Sequence, residues 1–342
     1  MATSFVVMGS GAIGCHVGGR LAASGASVVF VARGATAASL GDHGLVVSAL
    51  DGFRAAIPPD RVRVAATATE AASLIDGDPF ILLCTKGGAT AAAAAELGAA
   101  FPAGTPVLSL QNGVENVARI RTAAPALSPI AGMVPFNVTL DRSADGRIAA
   151  HRATSGGLHA EDLAAMRAVL PDFAKAGLPV TLTADMAAIQ WGKLLLNLNN
   201  PVNALSDLPL REELTDRDYR RVLAALQTEA MAVMRAAGIQ PGQAGAAPPW
   251  VIPHILRLPT FAFSRIAASM LAIDARARSS MWDDIQAGRE TEIDDLCGAI
   301  VRLAEATAMK APKNAAIAGL IRRHRRGQRI DGPALLRLVE AA

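Results

Sequence analysis

Cysteine is nearly absent from this chain. Cys15, Cys84 and Cys297 are the only three in 342 residues, and no two of them form a C-x-x-C pair. That excludes a disulfide scaffold and a cysteine-based zinc site, and it fits a reduced, cytoplasmic setting with small buried thiols. Aromatic residues are also scarce, at 4% with a single tyrosine, so the cores must be packed with Ala, Leu, Val and Ile. No run of about twenty strongly apolar residues occurs, so no membrane span is expected. The apolar N-terminus lacks the basic region that would precede the core of a signal peptide. Neither charge sign dominates, and a formal net charge of +3 gives no warrant for nucleic-acid binding. None of the six histidines shows H-x-x-x-H spacing, so no metal is expected. Lysine is rare too. Lys86, Lys175, Lys193, Lys310 and Lys313 are the only five, and arginine serves wherever else a positive charge is needed.

Apolar material is plentiful. At 51% hydrophobic over 342 residues, the composition supports two domains. The first stretch, SFVVMGSGAIGCHVGGRLAASGASVVFVARG, reads as strand, turn, helix, turn, strand. Phe5 to Met8 is a short apolar run typical of a buried parallel strand. Gly9, Gly11 and Gly14 then form G-x-G-x-x-G, and residues 12 to 24 place Ile13, Val17 and Leu21 on one helical face. In that motif the first glycine permits a tight turn, the second lets the backbone approach a pyrophosphate, and the third lets helix and strand pack closely. The free N–H groups and partial positive charge of the helix start would face the phosphates. The predicted cofactor cradle is therefore Gly9, Ser10, Gly11, Ala12, Ile13 and Gly14. A second strand, Val28 to Ala32, leads into Arg33-Gly34, where an NAD site would usually carry Asp or Glu. Arg33 in that place favours a 2′-phosphate and hence NADP(H).

Two further apolar strands are expected to run to Lys86 in PFILLCTKGG and to Asn112-Gly113 in TPVLSLQNGVEN, putting Lys86 and Asn112 beside the cofactor. FNVTLDRSADGRIAAHR reads as further strands joined by an Asp-Gly turn. Beyond about Asp185 the pattern becomes helical. Lys193, Asn197 and Asn200 follow at intervals of four and three residues, which puts them on one helical face, with Leu194, Leu195 and Leu198 on the other. Pro201 should end or kink that helix. A lysine between QWG and LLL, in a chain so sparing of lysine, points to proton chemistry, because lysine can release a proton where arginine cannot. In SSMWDDIQAGRETEIDDLCGAIV, Ser279 and Ser280 sit on a helix ending at Gly288. Glu292 is placed at the start of the next helix, with Thr291 as its cap. The fold expected is α/β: an N-terminal Rossmann-type parallel-sheet domain over 1–185, binding NADP, and an all-α C-terminal domain over 186–342, carrying substrate and catalysis.

Together, GSGAIG, Lys86 in CTKGG, Asn112 in LQNGVEN, Lys193 in WGKLLLN and the block SSMWDDIQAGRETEID resemble the ketopantoate reductase family over nearly the whole chain. The resemblance implies NADPH-dependent reduction of 2-dehydropantoate to pantoate, in pantothenate and coenzyme A synthesis. It makes Lys193 the catalytic lysine and Glu292 the second essential acid. Asn197 and Ser280 match substrate positions, and either Asn199 or Asn200 matches the second asparagine. Lys86 and Asn112 match cofactor contacts. Three departures stand out. Asn200-Pro201 lies one residue closer to the lysine than the family's Asn-Pro, Cys297-Gly298 replaces a frequent Asn-Gly, and Ala277-Arg278 replaces an asparagine before the serine. The partner expected is a small 2-keto acid, with no nucleic acid and no membrane. The helical half admits a homodimer without specifying one. The basic run IRRHRRGQR, residues 321 to 329, reads as a solvated face or as a contact for an anionic partner. GIQPGQAGAAPPW reads as a Pro/Gly loop.

Overall fold

The computed structural model describes residues 3–244, 247–271 and 276–342; two residues of the Pro/Gly loop, Gly245 and Ala246, lie outside the described residues. The chain forms two compact units, Met1–Met186 and Ala187–Ala342.

Among its described residues the first unit holds twelve strands: β1 (Thr3–Met8), β2 (Ser27–Val31), β3 (Leu45–Ala49), β4 (Arg54–Ile57), β5 (Arg63–Ala65), β6 (Asp78–Leu83), β7 (Pro106–Ser109), β8 (Ser128–Met133), β9 (Val138–Arg142), β10 (Ile148–Arg152), β11 (Leu158–Glu161) and β12 (Val180–Thr183). Eight of them form one sheet in the order β12-β11-β8-β7-β6-β1-β2-β5, parallel throughout except where β11 meets β8. The order reverses at β1, and in such sheets ligands bind beyond the carboxyl ends of the strands on either side of the reversal. Both faces of β1 are covered: Phe5 and Val7 pack into one core, and Val6 and Met8 into the other. The few aromatics are concentrated here, with Phe5 meeting Phe80 and Phe173 edge-on at 5.8 and 5.9 Å between ring centroids.

A second sheet, β4-β3-β10-β9, is built from strands about a hundred residues apart in sequence. Its β9–β10 hairpin is closed by the expected Asp-Gly turn, where Ser143 N–H donates to Arg147 O at 2.9 Å and Gly146 has φ +86°. The helix Ala12–Ala23 lies between the two sheets, and its Gly18-Gly19 pair makes that possible. A Cβ on Gly18 would come within 2.6 Å of Val7 on the first sheet, and one on Gly19 within 2.5 Å of Val47 on the second. The two apolar strands stop earlier than the sequence suggests, at Leu83 and Ser109. Lys86 caps a short 3-10 turn instead, and Asn112 belongs to a loop.

Among the described residues of the second unit, every regular element is helical. The long helix Arg217–Ala236 runs through its centre and buries Tyr219, Arg220, Val222, Leu223, Leu226, Ala230, Val233 and Met234. Glu229 on that helix accepts N–H bonds from Lys313 and Asn314, at 3.0 and 2.8 Å, and so supplies a carboxylate to the N-terminus of the helix Pro312–Arg323. Arg220 is fully buried, and its guanidinium donates to four backbone carbonyls. No helix in the described residues is long and apolar enough to cross a membrane.

Candidate functional site

In the first unit, β1 ends at Met8 and the chain turns through Gly9, whose φ is +103°. A Cβ on Gly9 would lie 2.7 Å from the backbone nitrogen of Thr85 and 2.9 Å from the carbonyl carbon of Cys84. The glycine turn therefore packs against the loop that carries Lys86. A Cβ on Gly14 would overlap the carbonyl oxygen of Gly9, whereas nothing lies within 4 Å of the Cβ position of Gly11. Gly9 and Gly14 thus lack side chains for packing, and Gly11 leaves an open surface at the helix start. The helix Ala12–Ala23 has no side-chain cap and no acidic residue in its first turn, so its N–H groups and dipole suit a diphosphate. Ser10 is buried and donates to Val31 O at 3.1 Å, which ties the turn to the end of β2. Ala12 and Ile13, both half-buried, open the helix. These residues fit a dinucleotide.

Arg33 follows β2 and precedes the helix Gly34–His43. Its exposed guanidinium pairs with Glu96 at 2.8 Å and donates to Ala66 O at 3.3 Å. Glu96 also accepts the Ala68 N–H at 2.8 Å, so the carboxylate is fixed in place. A buried polar network invisible to the sequence reading holds the Lys86 and Asn112 loops. Gln111 donates to Thr85 O, Thr85 Oγ1 and Thr90 Oγ1 at 2.9, 3.1 and 2.8 Å. Thr90 Oγ1 donates to Asn116 Oδ1 at 2.9 Å, and Asn116 Nδ2 donates to Asn112 O at 2.7 Å. The only sequence signal was a run of amides and hydroxyls just after two apolar strands.

In the second unit, Lys193 and Asn197 lie one turn apart on the helix Met186–Asn197. Burial pulls the Lys193 ammonium below the ordinary lysine value. The preceding Gly192 is covered by the Pro/Gly loop: a Cβ there would overlap Gly242 O, and Gly242 N–H donates to Ala188 O at 2.7 Å. The helix breaks at Leu198, and a second helix, Asn199–Ser206, carries Asn200 in its first turn. Pro201 causes the break from a distance, since its missing N–H leaves Asn197 O without an i+4 donor. Gln227 Nε2 then satisfies Leu195 O at 3.0 Å. Asn200 is thus not on the same helix as Lys193, contrary to the sequence reading.

Ser279 is buried and Ser280 exposed. Ser279 is the cap of the helix Ser280–Gln286, its Oγ accepting Trp282 N–H at 3.2 Å and donating to Asn200 O at 3.1 Å. That bond stitches Asn200 to the residue next to Ser280. Glu292 sits in the turn between that helix and Cys297–Ala306, where its carbonyl accepts the N–H groups of Asp295 and Leu296 at 3.0 and 3.2 Å. The expected helix start at Thr291 is not there, because tight turns cover residues 292–296 and the helix begins at Cys297. Burial pushes all three cysteine thiols up, Cys15 to about 12, so none is a ready nucleophile.

Two family models cover most of the chain: "Ketopantoate reductase PanE/ApbA" over residues 5–163 and "Ketopantoate reductase PanE/ApbA C terminal" over residues 185–325. A 2-dehydropantoate 2-reductase from Caulobacter vibrioides is 30% identical over 321 residues, covering 93% of this chain and 98% of the relative. The chain belongs to the ketopantoate reductase family. Another 2-dehydropantoate 2-reductase, from Halobacterium salinarum, is 29% identical and covers 93% of this chain and 97% of its own length. Among solved structures, a PanE/ApbA family ketopantoate reductase from Ralstonia eutropha aligns with a TM-score of 0.77 at 28% identity, covering 94% of this chain and 97% of that one. D-mandelate dehydrogenase, in a ternary complex with NADH and anilino(oxo)acetate, shares the fold with a TM-score of 0.75 at 19% identity, covering 94% and 97% of the two chains.

As a ketopantoate reductase family member the chain is an oxidoreductase, and two of its three departures acquire a structural setting. Arg278 pairs with Asp207 at 3.3 Å and stacks over Trp282 at 4.2 Å to the ring centroid, while Trp282 Nε1 donates to the same Asp207 at 2.6 Å. Cys297 is fully buried at the first position of its helix.

Proposed function

We propose that this ketopantoate reductase family member reduces 2-dehydropantoate to (R)-pantoate with NADPH, and that Lys193 is the general acid. The observation that carries the reading is a desolvated lysine one turn before a buried amide, with only leucines between them on the helix. A bound reduced nicotinamide supplies a hydride to the keto carbon. The oxygen left behind needs a proton, and the Lys193 ammonium both polarises the carbonyl and donates that proton. Asn197, Asn200 and Ser280 hold the substrate's hydroxyl and carboxylate with neutral hydrogen bonds, and Glu292 orients the ammonium. Gly9 to Gly14 receive the diphosphate, flanked by Lys86 and Asn112, while Arg33 reads the 2′-phosphate.

A second reading, reduction of another branched 2-keto acid, is favoured by one observation. Arg278 takes a place where the family often carries an asparagine, and its guanidinium is engaged with Asp207 and Trp282. The experiment is oxidation of NADPH and of NADH by the purified chain across a panel of 2-keto acids. The highest kcat/KM is expected with 2-dehydropantoate and NADPH. Preference for another keto acid moves the assignment to the second reading. Tight NADPH binding with no turnover on any keto acid would show a binding protein instead.

Cofactor choice has its own test. Glu96 already neutralises Arg33, so a 2′-phosphate has to share or displace that carboxylate. Arg33→Ala is expected to raise the KM for NADPH roughly 10–100-fold while leaving that for NADH within about twofold. Glu96→Gln should lower the KM for NADPH. Equal effects of Arg33→Ala on both cofactors would remove Arg33 from the 2′-phosphate role.

A further inference from the structure

We infer that Glu213, a residue outside the proposed site, is the positioning residue of its amide face and works as an uncharged acid whose proton is shared with Asn199. The inference rests on the reading that Asn200 and Ser280 hold the substrate. Glu213 lies on the short helix Leu210–Thr215 and is fully buried. Its Oε2 accepts Asn203 Nδ2 at 2.9 Å and Asn199 Nδ2 at 3.3 Å. Its Oε1 and the Oδ1 of Asn199 are both buried without a hydrogen-bond partner. With an ionised carboxyl these would be two orphaned buried acceptors, an arrangement that is costly to keep in a folded core. One proton on Oε1 resolves both, because it turns one acceptor into a donor for the other and closes an acid–amide pair.

Among the described residues no cation is engaged with the carboxyl, and Arg211 and Glu212, the other charged residues of its own helix, are both exposed. The helix Asn199–Ser206 contributes amides but no ionisable group. Asp216, at the end of the Glu213 helix, adds negative charge. On the helix Arg217–Ala236, Arg220 is engaged with the carbonyls of Leu214, Thr215, Leu256 and Leu258, Arg217 with Arg257 O, and Arg221 with Asp218 and Glu340. Arg278, before Ser280, is engaged with Asp207. Burial accordingly pushes the Glu213 carboxyl up to about 8.

The bonds lead from this acid to the substrate residues. Asn203 Nδ2 also donates to Leu208 O at 2.9 Å, and Asn203 Oδ1 accepts Ser279 N–H at 2.8 Å. Ser279 Oγ reaches Asn200 O at 3.1 Å and caps the helix that Ser280 opens. Asn199, the other partner of Glu213, is the neighbour of Asn200. Ionising Glu213 therefore loosens Asn200 and Ser280, while Lys193 sits on the preceding helix.

Two measurements on the intact protein test this. The folded carboxyl keeps its proton to about 8, whereas the unfolded one loses it near the ordinary 4.5. Between those values the folded state binds more protons, so wild-type stability falls as pH rises. Glu213→Gln, a neutral isostere that retains a donor for Asn199, lacks that slope. Its melting temperature should gain on wild type from pH 5 to pH 9, and parallel curves overturn the proposal. In kinetics, Glu213→Gln should keep the wild-type keto-acid KM at pH 7, while Glu213→Ala raises it about tenfold with little change in kcat. Between pH 7 and pH 9 the KM should rise in wild type and stay level in Glu213→Gln. If Glu213→Gln damages KM as much as Glu213→Ala at pH 7, an ionised carboxylate is needed and the proposal is wrong. Absence of turnover by wild type would instead defeat the functional reading, and the melting comparison would still decide Glu213.

Discussion

Replacing Lys193 with alanine is expected to lower kcat by about 10²–10⁴ without lowering the melting temperature. The two halves of this expectation have one cause. Burial depresses the ammonium's pKa, so its charged form is held in a place that disfavours charge. Removing the side chain relieves that penalty and deletes the proposed proton donor together. Hydride arrival at the keto carbon then leaves an alkoxide with no acid beside it. Lys193→Arg should be nearly as slow, because a guanidinium polarises a carbonyl but does not release its proton at accessible pH. In wild type, kcat should decline as pH rises through a value below the ordinary 10.5, since the proposed acid role requires a protonated lysine. Steady-state kinetics with NADPH and 2-dehydropantoate, alongside a thermal melt, check both halves. Near-normal turnover in Lys193→Ala would remove the residue from the acid role.

The lysine stood out because it was rare. One of five lysines in 342 residues, set among leucines, conflicts with its surroundings, which is what singled it out as a candidate. The glycine turn was legible because backbone geometry dictates its spacing, and β1 because both its faces are buried. Glu213 was not legible. It stands beside Glu212 in LREEL, one exposed and the other fully buried, and no local pattern says which faces inward. The second sheet was hidden for a related reason, since β3 pairs with β10 across about a hundred residues and neither strand announces its partner. The helix break was anticipated at the right proline but the wrong place. Proline withdraws a donor from the carbonyl four residues upstream, so the disruption falls before it, at Leu198, and Asn200 starts a new helix. Ser279 and Ser280 look alike in sequence, yet one caps a helix from inside and the other is exposed.

Arg220 should produce the largest loss of stability. It sits in RDYRRVL with three other charged residues, and the fold buries it completely. Nε donates to Leu256 O at 3.1 Å, Nη1 to Leu214 O and Thr215 O at 2.9 Å each, and Nη2 to Leu258 O at 3.0 Å and Thr260 Oγ1 at 3.3 Å. The guanidinium also lies 4.2 Å from the centroid of the Phe263 ring. Two effects oppose each other in Arg220→Leu. Removing a buried charge recovers desolvation free energy, which is why some buried ion pairs can be replaced by apolar residues without loss. That relief depends on replacing both partners. Here the partners are backbone carbonyls at the ends of two helices, Leu210–Thr215 and Ile252–Arg257, and no substitution removes them. Each carbonyl left without this donor costs about 1–3 kcal/mol, so the loss outweighs the relief, and Arg220→Leu should destabilise the second unit by roughly 3–5 kcal/mol. Arg220→Lys should fall between, because an ammonium has three donors and cannot span four carbonyls. Urea unfolding followed by tryptophan fluorescence reports on this unit, since Trp191, Trp250 and Trp282 all lie in it. An unfolding free energy for Arg220→Leu within about 1 kcal/mol of wild type would show that the freed carbonyls find other partners.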